Sequence, residues 1–120
     1  MHELGIANSV LQEAQQELQR HLHSRLRKIK LRVGEMSGVN PEALRFCFEA
    51  MARESQVGQV ELEIEICARR QRCPACNQTF TVVDYSLTCP TCGSSKTEFA
   101  GGDELELCSL EMEDYEPGVA

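Results

Sequence analysis

The sequence predicts an α+β fold. One small sheet of about three strands is covered by two helices, and a cysteine-rich module is inserted between the second and third strands. Three patterns support this prediction: two stretches repeat apolar residues at steps of three and four, three stretches alternate apolar and polar residues, and two C-x-x-C pairs interrupt that alternation. The 120 residues are enough for one compact domain and a small second one.

Two helices are predicted from apolar spacing and from one start signal. The first is expected over about residues 3–22, where apolar residues recur on one helical face: Leu4, Ala7, Leu11, Ala14, Leu18 and Leu22. Asn40 followed by Pro41 is typical of an N-cap and a first helical position, so the second helix should run from there to about Ser55. Its predicted buried residues are Leu44, Cys47, Phe48 and Met51.

Two strands are predicted from strict alternation. The first ends at Gly34 and has apolar residues at every second position: Ile29, Leu31 and Val33. The second spans residues 60–68 and should have one core face and one solvated acidic face. The expected core residues are Val60, Leu62, Ile64, Ile66 and Ala68, and the expected acidic residues are Glu61, Glu63 and Glu65.

A third strand is predicted over residues 104–113, with a bulge near Cys108 because the apolar residues change face there. We expect this strand to form a hairpin with the second, from which the cysteine module, residues 69–100, projects. The predicted division is therefore an α+β domain of residues 1–68 plus 101–114, an inserted domain of residues 69–100, and a disordered tail of residues 115–120.

The charge balance excludes several classes of partner. Twelve Lys and Arg against nineteen Asp and Glu give a net charge of -7, which would repel phosphate backbones and anionic membranes, so we expect no nucleic-acid and no membrane partner. The sequence has no apolar run long enough to span a bilayer, and acidic residues occupy the place of a signal peptide's basic start. These observations predict a cytoplasmic protein.

Four of the seven cysteines have the spacing of a zinc site: Cys73, Cys76, Cys89 and Cys92. Each C-x-x-C turn can supply two thiolates, and two such turns complete a tetrahedron around Zn(II). The second cysteine of each pair is followed by Asn77 or Gly93, the residue types that best tolerate the positive φ of a tight turn. Basic side chains nearby can offset the thiolate charge: Arg69, Arg70, Arg72 and Lys96.

Other uses of the four cysteines are less favoured. A pair of disulfides requires an oxidising compartment, a redox site needs only one C-x-x-C, and an iron site of rubredoxin type remains a minor alternative. Four protein ligands leave no open coordination position, so the predicted zinc is structural. Because the sequence also shows no nucleophile paired with a base, we do not expect an enzyme.

The remaining cysteines and two histidines have ordinary structural explanations. Cys47, Cys67 and Cys108 fall on predicted helix and strand positions, where a small buried hydrophobic residue is usual. His21 and His23 fall in the predicted last turn of the first helix, where the dipole favours a cation.

The first three residues, Met1, His2 and Glu3, place two good metal ligands at an end that is normally frayed. The amine of Met1, the amide nitrogen of His2 and its imidazole Nδ1 can close two chelate rings in one plane, and the Glu3 carboxylate or another group can complete a square. Square-planar N,O coordination is diagnostic of Ni(II) or Cu(II). The alternative is a helix start with an acid near its positive end and a histidine there by chance.

Five short segments, in order along nearly the whole chain, together resemble the HypA/HybF family, the nickel metallochaperones of hydrogenase maturation. They are MHELGIA, KLRVGEMSGV, LRFCFE, the paired CPAC and CPTC, and GGDELELCSLEME. The resemblance implies transient Ni(II) on Met1, His2 and Glu3, and structural Zn(II) on the four spaced cysteines. One departure concerns Asn40, where some relatives have an aspartate, so a supporting carboxylate is in doubt there.

The resemblance also implies a function. It predicts delivery of nickel to the large subunit of [NiFe]-hydrogenase with a GTPase partner, and some relatives also serve urease. The runner-up is a zinc-ribbon adaptor for nucleic acid or transcription. That class should show a basic face or interleaved aromatics, whereas this chain has its acidic balance, no Trp, two Tyr and four Phe.

Overall fold

The computed structural model of the protein describes residues 3–114. Within them the chain forms two helices and six strands, arranged in two three-stranded sheets with orders β2-β1-β6 and β4-β3-β5. The predicted α+β class is confirmed. Met1, His2 and the predicted tail of residues 115–120 lie outside the described residues. The elements are α1 Glu3–Leu18, β1 Ser24–Gly34, α2 Pro41–Arg53, β2 Glu61–Cys67, β3 Arg70–Cys73, β4 Gln78–Thr81, β5 Glu98–Gly101 and β6 Leu105–Asp114.

β1 is the central strand of the first sheet. It pairs in parallel with β2, because α2 returns the chain to the start of the sheet before β2 begins. On its other side it pairs antiparallel with β6. The predicted hairpin between β2 and β6 is therefore wrong: β1 lies between them. The cysteine module is inserted between the two edge strands.

The first helix is shorter than predicted and ends at Leu18. Two turns follow, in which the amide of His21 donates to the carbonyl of Leu18 (3.0 Å) and that of Ser24 donates to the carbonyl of His21 (3.1 Å). The prediction of His21 and His23 in the last helical turn is thus wrong, because β1 begins at Ser24 and the chain must reverse direction first. Leu22 and Leu4, both expected on the buried face of this helix, are 79% and 60% exposed.

The second helix begins as predicted. The side-chain oxygen of Asn40 accepts hydrogen bonds from the amides of Glu42 (3.0 Å) and Ala43 (3.2 Å), and Pro41 is the first helical residue. Both helices pack on one face of the first sheet and against each other. They bury one continuous apolar core, formed by Ile6, Ala7, Val10, Leu11, Ala14, Leu26, Ile29, Leu31, Val33, Val39, Leu44, Phe48, Ala52, Val57 and Leu62.

The end of β2 does not follow the predicted alternation of core and solvent. Ile66, expected in the core, is 53% exposed, whereas Cys67 is buried. β2 is an edge strand, so its last residues on the helical face are covered from one side only. On the opposite face, a hydrogen bond with Cys67 raises the pKa of Arg32.

The bulge predicted in the third strand is confirmed. Lys30 pairs with Ser109 and Leu31 with Leu107, which leaves Cys108 as the extra residue of β6. Of the three cysteines expected to be buried, Cys67 is buried, Cys47 is partly buried against the core, and Cys108 is exposed because the bulge turns it outward. Neither helix in residues 3–114 is long and apolar enough to cross a membrane.

Candidate metal centres

Two equivalent turns present the four cysteines. Cys73 ends β3, and the amide of Asn77 donates to its carbonyl at 2.7 Å. In the second turn the amide of Gly93 donates to the carbonyl of Cys89 at 2.9 Å. Asn77 and Gly93 have φ angles of 63° and 79°, which confirms the positive φ predicted for both turns. The two turns face each other across the module.

The sulfur atoms of all four cysteines lie within 4.8 Å of one another. Sγ of Cys73 lies 3.5 Å from that of Cys92, and Sγ of Cys76 lies 3.6 Å from that of Cys89. A tetrahedron with zinc–sulfur bonds of about 2.3 Å has sulfur–sulfur edges of about 3.8 Å, close to these distances. Disulfide bonds would require about 2.0 Å. The four residues therefore fit a tetrathiolate zinc site and are not disulfide-bonded.

Backbone amides prepare two of the thiols for metal binding. The amide of Cys92 lowers the pKa of Cys89 to about 6, and the amide of Cys76 lowers the pKa of Cys73. For Cys76, the amide of Gln78 lowers the pKa, but burial and the neighbouring thiols outweigh it and raise it to about 12. Without a bound cation, the four thiols are therefore not all deprotonated. A divalent cation would hold all four as thiolates.

The cysteine module contains a buried polar residue that the sequence analysis missed. Gln71 is 2% exposed; its side-chain nitrogen donates to Thr97 Oγ1 (3.1 Å), and its side-chain oxygen accepts from Arg69 Nε (3.3 Å). Of the basic residues predicted to offset the thiolates, Arg70 pairs with Glu104 (2.5 Å) and Arg72 with Glu98 (3.6 Å). A lone glutamine on a short strand gave no signal in the sequence.

Of the amino-terminal candidate ligands, only Glu3 lies among the described residues. It begins α1, and its Oε2 accepts a hydrogen bond from the backbone amide of Asn40 at 3.3 Å. The start of α1 therefore lies beside the start of α2. Asn40, where some relatives have an aspartate, is thus next to Glu3. Met1 and His2 lie outside the described residues.

An apolar groove begins one turn along α1 from Glu3. Its volume is about 500 Å³, and it lies between α1 and the start of β6. It was not predicted, because it depends on the pairing of β6 with β1. The apolar residues that line it include Ile6, Val10, Leu31, Leu105 and Leu107.

An α+β layer with a four-thiolate module defines a small metal-binding protein. Residues 1–112 match the family described as hydrogenase/urease nickel incorporation, metallochaperone, HypA, and the chain belongs to this family. The resemblance to the HypA/HybF family that was stated from the sequence is confirmed.

Two curated relatives illustrate the similarity, and both are hydrogenase maturation factor HypA. The protein of Chlorobaculum parvum is 36% identical over 113 residues, which cover 94% of this chain and 100% of the relative. That of Chlorobium luteolum is 37% identical over 110 residues, which cover 92% and 94%.

Two solved structures share the fold. The solution structure of the Ni metallochaperone HypA from Helicobacter pylori has a TM-score of 0.63 at 24% identity, covering 96% of this chain and 100% of that one. A second solution structure, of a HypA protein, has a TM-score of 0.70 at 24% identity, covering 94% and 97%.

Proposed function

We propose that this chain binds one Ni(II) through Met1, His2 and Glu3 and delivers it for maturation of a [NiFe]-hydrogenase. The observation that carries the proposal is the family match, which begins at residue 1 and so includes the candidate ligands. The amine of Met1 and the amide and imidazole nitrogens of His2 supply three donors in one plane, which suits Ni(II).

Glu3 supports this site from α1. Its carboxylate accepts a hydrogen bond from the backbone amide of Asn40, which connects the start of α1 to the start of α2. The side-chain oxygen of Asn40 accepts two amide hydrogens as the cap of α2, which occupies both of its lone pairs. We therefore assign Asn40 a capping role and leave the fourth nickel ligand to Glu3 or a further amide nitrogen.

The cysteine module would bind Zn(II) through Cys73, Cys76, Cys89 and Cys92 as a structural metal. All four positions of a tetrahedral ion are then filled by protein, so the site supplies folding energy and no open position for catalysis. The proposed division is a nickel-binding domain of residues 1–68 plus 101–114 and an inserted zinc domain of residues 69–100. The two separate sheets support it, with Gly101 at the boundary as the last residue of β5. This assignment also makes the protein a carrier and not an enzyme.

The proposed partners are the large subunit of a [NiFe]-hydrogenase as client and a nickel-handling GTPase, in the cytoplasm, with urease as a further client in some relatives. A metal carried at the exposed start of α1 must be handed over directly, so α1 should face the GTPase. The exposed face of α1 is rich in uncharged amides and hydroxyls, which cost less to desolvate than charges. It includes Asn8, Ser9, Gln12 and Gln16.

The acidic row of β2 fits a solvated face better than a docking surface. Glu63 lies 3.3 Å from Lys28, and Glu65 lies 3.2 Å from Arg32, so β1 already supplies opposite charges to this row.

We expect the change Gln12→Lys together with Gln16→Lys on α1 to abolish binding of the GTPase, because it places two charges in the proposed interface. The matched control, Glu61→Lys on β2, should bind normally. Co-elution of the purified proteins measures both. If the β2 variant loses the complex and the α1 variant keeps it, the placement of the partner is wrong.

One pair of assays on the same untagged sample distinguishes the proposed nickel chaperone from a nucleic-acid adaptor. Titration with Ni²⁺ should give tight binding of one ion per chain, and a gel-shift assay with DNA and RNA should give no shift. A shift with no tight nickel binding would favour the nucleic-acid adaptor.

A further inference from the structure

The cysteine module is attached at a single place, the end of β1. Because it is inserted between β2 and β6, which lie on opposite sides of β1, both of its connections must pass the end of the central strand. Three segments meet there, and we call them together the joint: residues 34–36, 68–70 and 102–104. The joint determines how the module is oriented on the rest of the protein.

Backbone hydrogen bonds join the turn after β1 to both connections. The amide of Gly34 donates to the carbonyl of Glu104 at 2.7 Å, and the amide of Met36 donates to the carbonyl of Gly102 at 2.6 Å. On the other side, the amide of Glu35 donates to the carbonyl of Cys67 at 2.7 Å. The same turn therefore holds the outgoing and the returning chain.

The three segments also lie too close together for side chains at two positions. A Cβ at Gly34 would lie 2.1 Å from the carbonyl oxygen of Gly102. Gly102 has φ +114°, and a Cβ there would lie 2.6 Å from Cα of Arg69. Glycine is required at both positions, by contact at the first and by contact and conformation at the second.

Within the joint, the carboxylate of Glu104 links Arg70, the first residue of β3 in the module, to the chain that returns to β6. Glu104 Oε2 accepts from Arg70 Nη2 at 2.5 Å, and its Oε1 accepts from the amide of Gly102 at 2.9 Å. Its side chain is 12% exposed, whereas the other ion-paired carboxylates in residues 3–114 are at least 40% exposed. Arg70 is 34% exposed, so the pair is shielded from water mainly on the carboxylate side. Solvent weakens such a pair less than a pair whose carboxylate is exposed.

We propose that Glu104 is a positioning residue that locks the cysteine module in one orientation on the helical domain, so that the two move as one body. Four residues after this turn, the amide of Asn40 donates to Glu3 at 3.3 Å. The segment that follows β1 therefore contacts the module through the joint and Glu3 through Asn40. The proposal does not depend on nickel binding, since it concerns the zinc-loaded protein alone.

Nuclear relaxation and residual dipolar couplings of the ¹⁵N-labelled, zinc-loaded full chain test this. In the native protein, amides of residues 70–100 and of β1 should share one rotational correlation time and one alignment tensor. Glu104→Ala should give the module a shorter correlation time and its own tensor, with zinc content unchanged. Glu104→Gln keeps an acceptor for Gly102 and should fall between the two.

The matched control is Glu98→Ala. Glu98 also pairs with an arginine of the module, Arg72, but it is 63% exposed and lies within the module itself, so its loss should leave one tensor. Two tensors in the native protein, or one tensor retained in Glu104→Ala, would overturn the proposal. If Glu104→Ala does not fold, Arg70→Ala removes the same ion pair and decides in its place.

Discussion

Two changes that share no side chain are expected to abolish tight nickel binding: His2→Ala, and the addition of one residue before Met1. The first removes the imidazole. The second leaves every side chain in place but converts the terminal amine to an amide, which is a poor ligand, and moves the chelate rings out of register. Loss of a residue that only hydrogen-bonds a metal ligand typically costs about 10–100-fold in metal affinity, so loss of a direct ligand should cost more than about 100-fold. Calorimetric titration with Ni²⁺ measures both variants.

The controls for this prediction are zinc content and helicity, which should be unchanged in both variants. Glu3→Gln should have a milder effect, because a further amide nitrogen can take the fourth nickel position and the glutamine oxygen can still accept the amide of Asn40. Nickel binding should also weaken as pH falls through about 8 to 6, the ordinary pKa range of the terminal amine and histidine, because protons compete for the same nitrogens. An extended protein that binds nickel as tightly as the native one would show that the amine is not a ligand.

Cys73→Ser is expected to remove zinc and to unfold the cysteine module while the helices remain. The module has little apolar core of its own: Cys73 and Cys89 are among its few buried side chains, and its residues are absent from the main core cluster. Structural zinc in small modules contributes about 10–16 kcal/mol of apparent binding energy at pH 7, and that energy is folding energy. Elemental analysis and hydrogen exchange of residues 69–100 measure the loss.

Cys108→Ser is the matched control, because Cys108 is exposed on the bulge of β6 and outside the cluster. It should keep one zinc per chain and native exchange throughout. A Cys73→Ser protein that retains its zinc and the protection of the module would contradict the structural role. So would native protein without zinc in which thiol titration reveals two disulfides.

Local rules predicted the parts of the fold that short segments determine. The Asn40–Pro41 start of α2, the positive φ of Asn77 and Gly93, and the bulge at Cys108 each depend on the chemistry or spacing of a few neighbouring residues. The spacing of the four cysteines was equally local, because each C-x-x-C turn presents its own pair of sulfur atoms.

Long-range pairing was not predictable in the same way. The alternation in β2 and β6 indicates strands but not their partners, and each of them pairs with β1 and not with the other. Among the errors of burial, those at Leu22 and Ile66 arose because helix length and edge position depend on this pairing. The joint was not predictable from the sequence, since nothing local indicates that Gly34 lies against Gly102.

The central claim is that two metals occupy two separate sites, and X-ray absorption of protein loaded with one nickel and one zinc tests it most directly. The account predicts a nickel edge with a planar shell of nitrogen and oxygen that includes imidazole and contains no sulfur. At the zinc edge it predicts four sulfur atoms at about 2.3 Å. Sulfur in the nickel shell would contradict the account, because it would mean that nickel is bound by cysteine and not by the amino terminus.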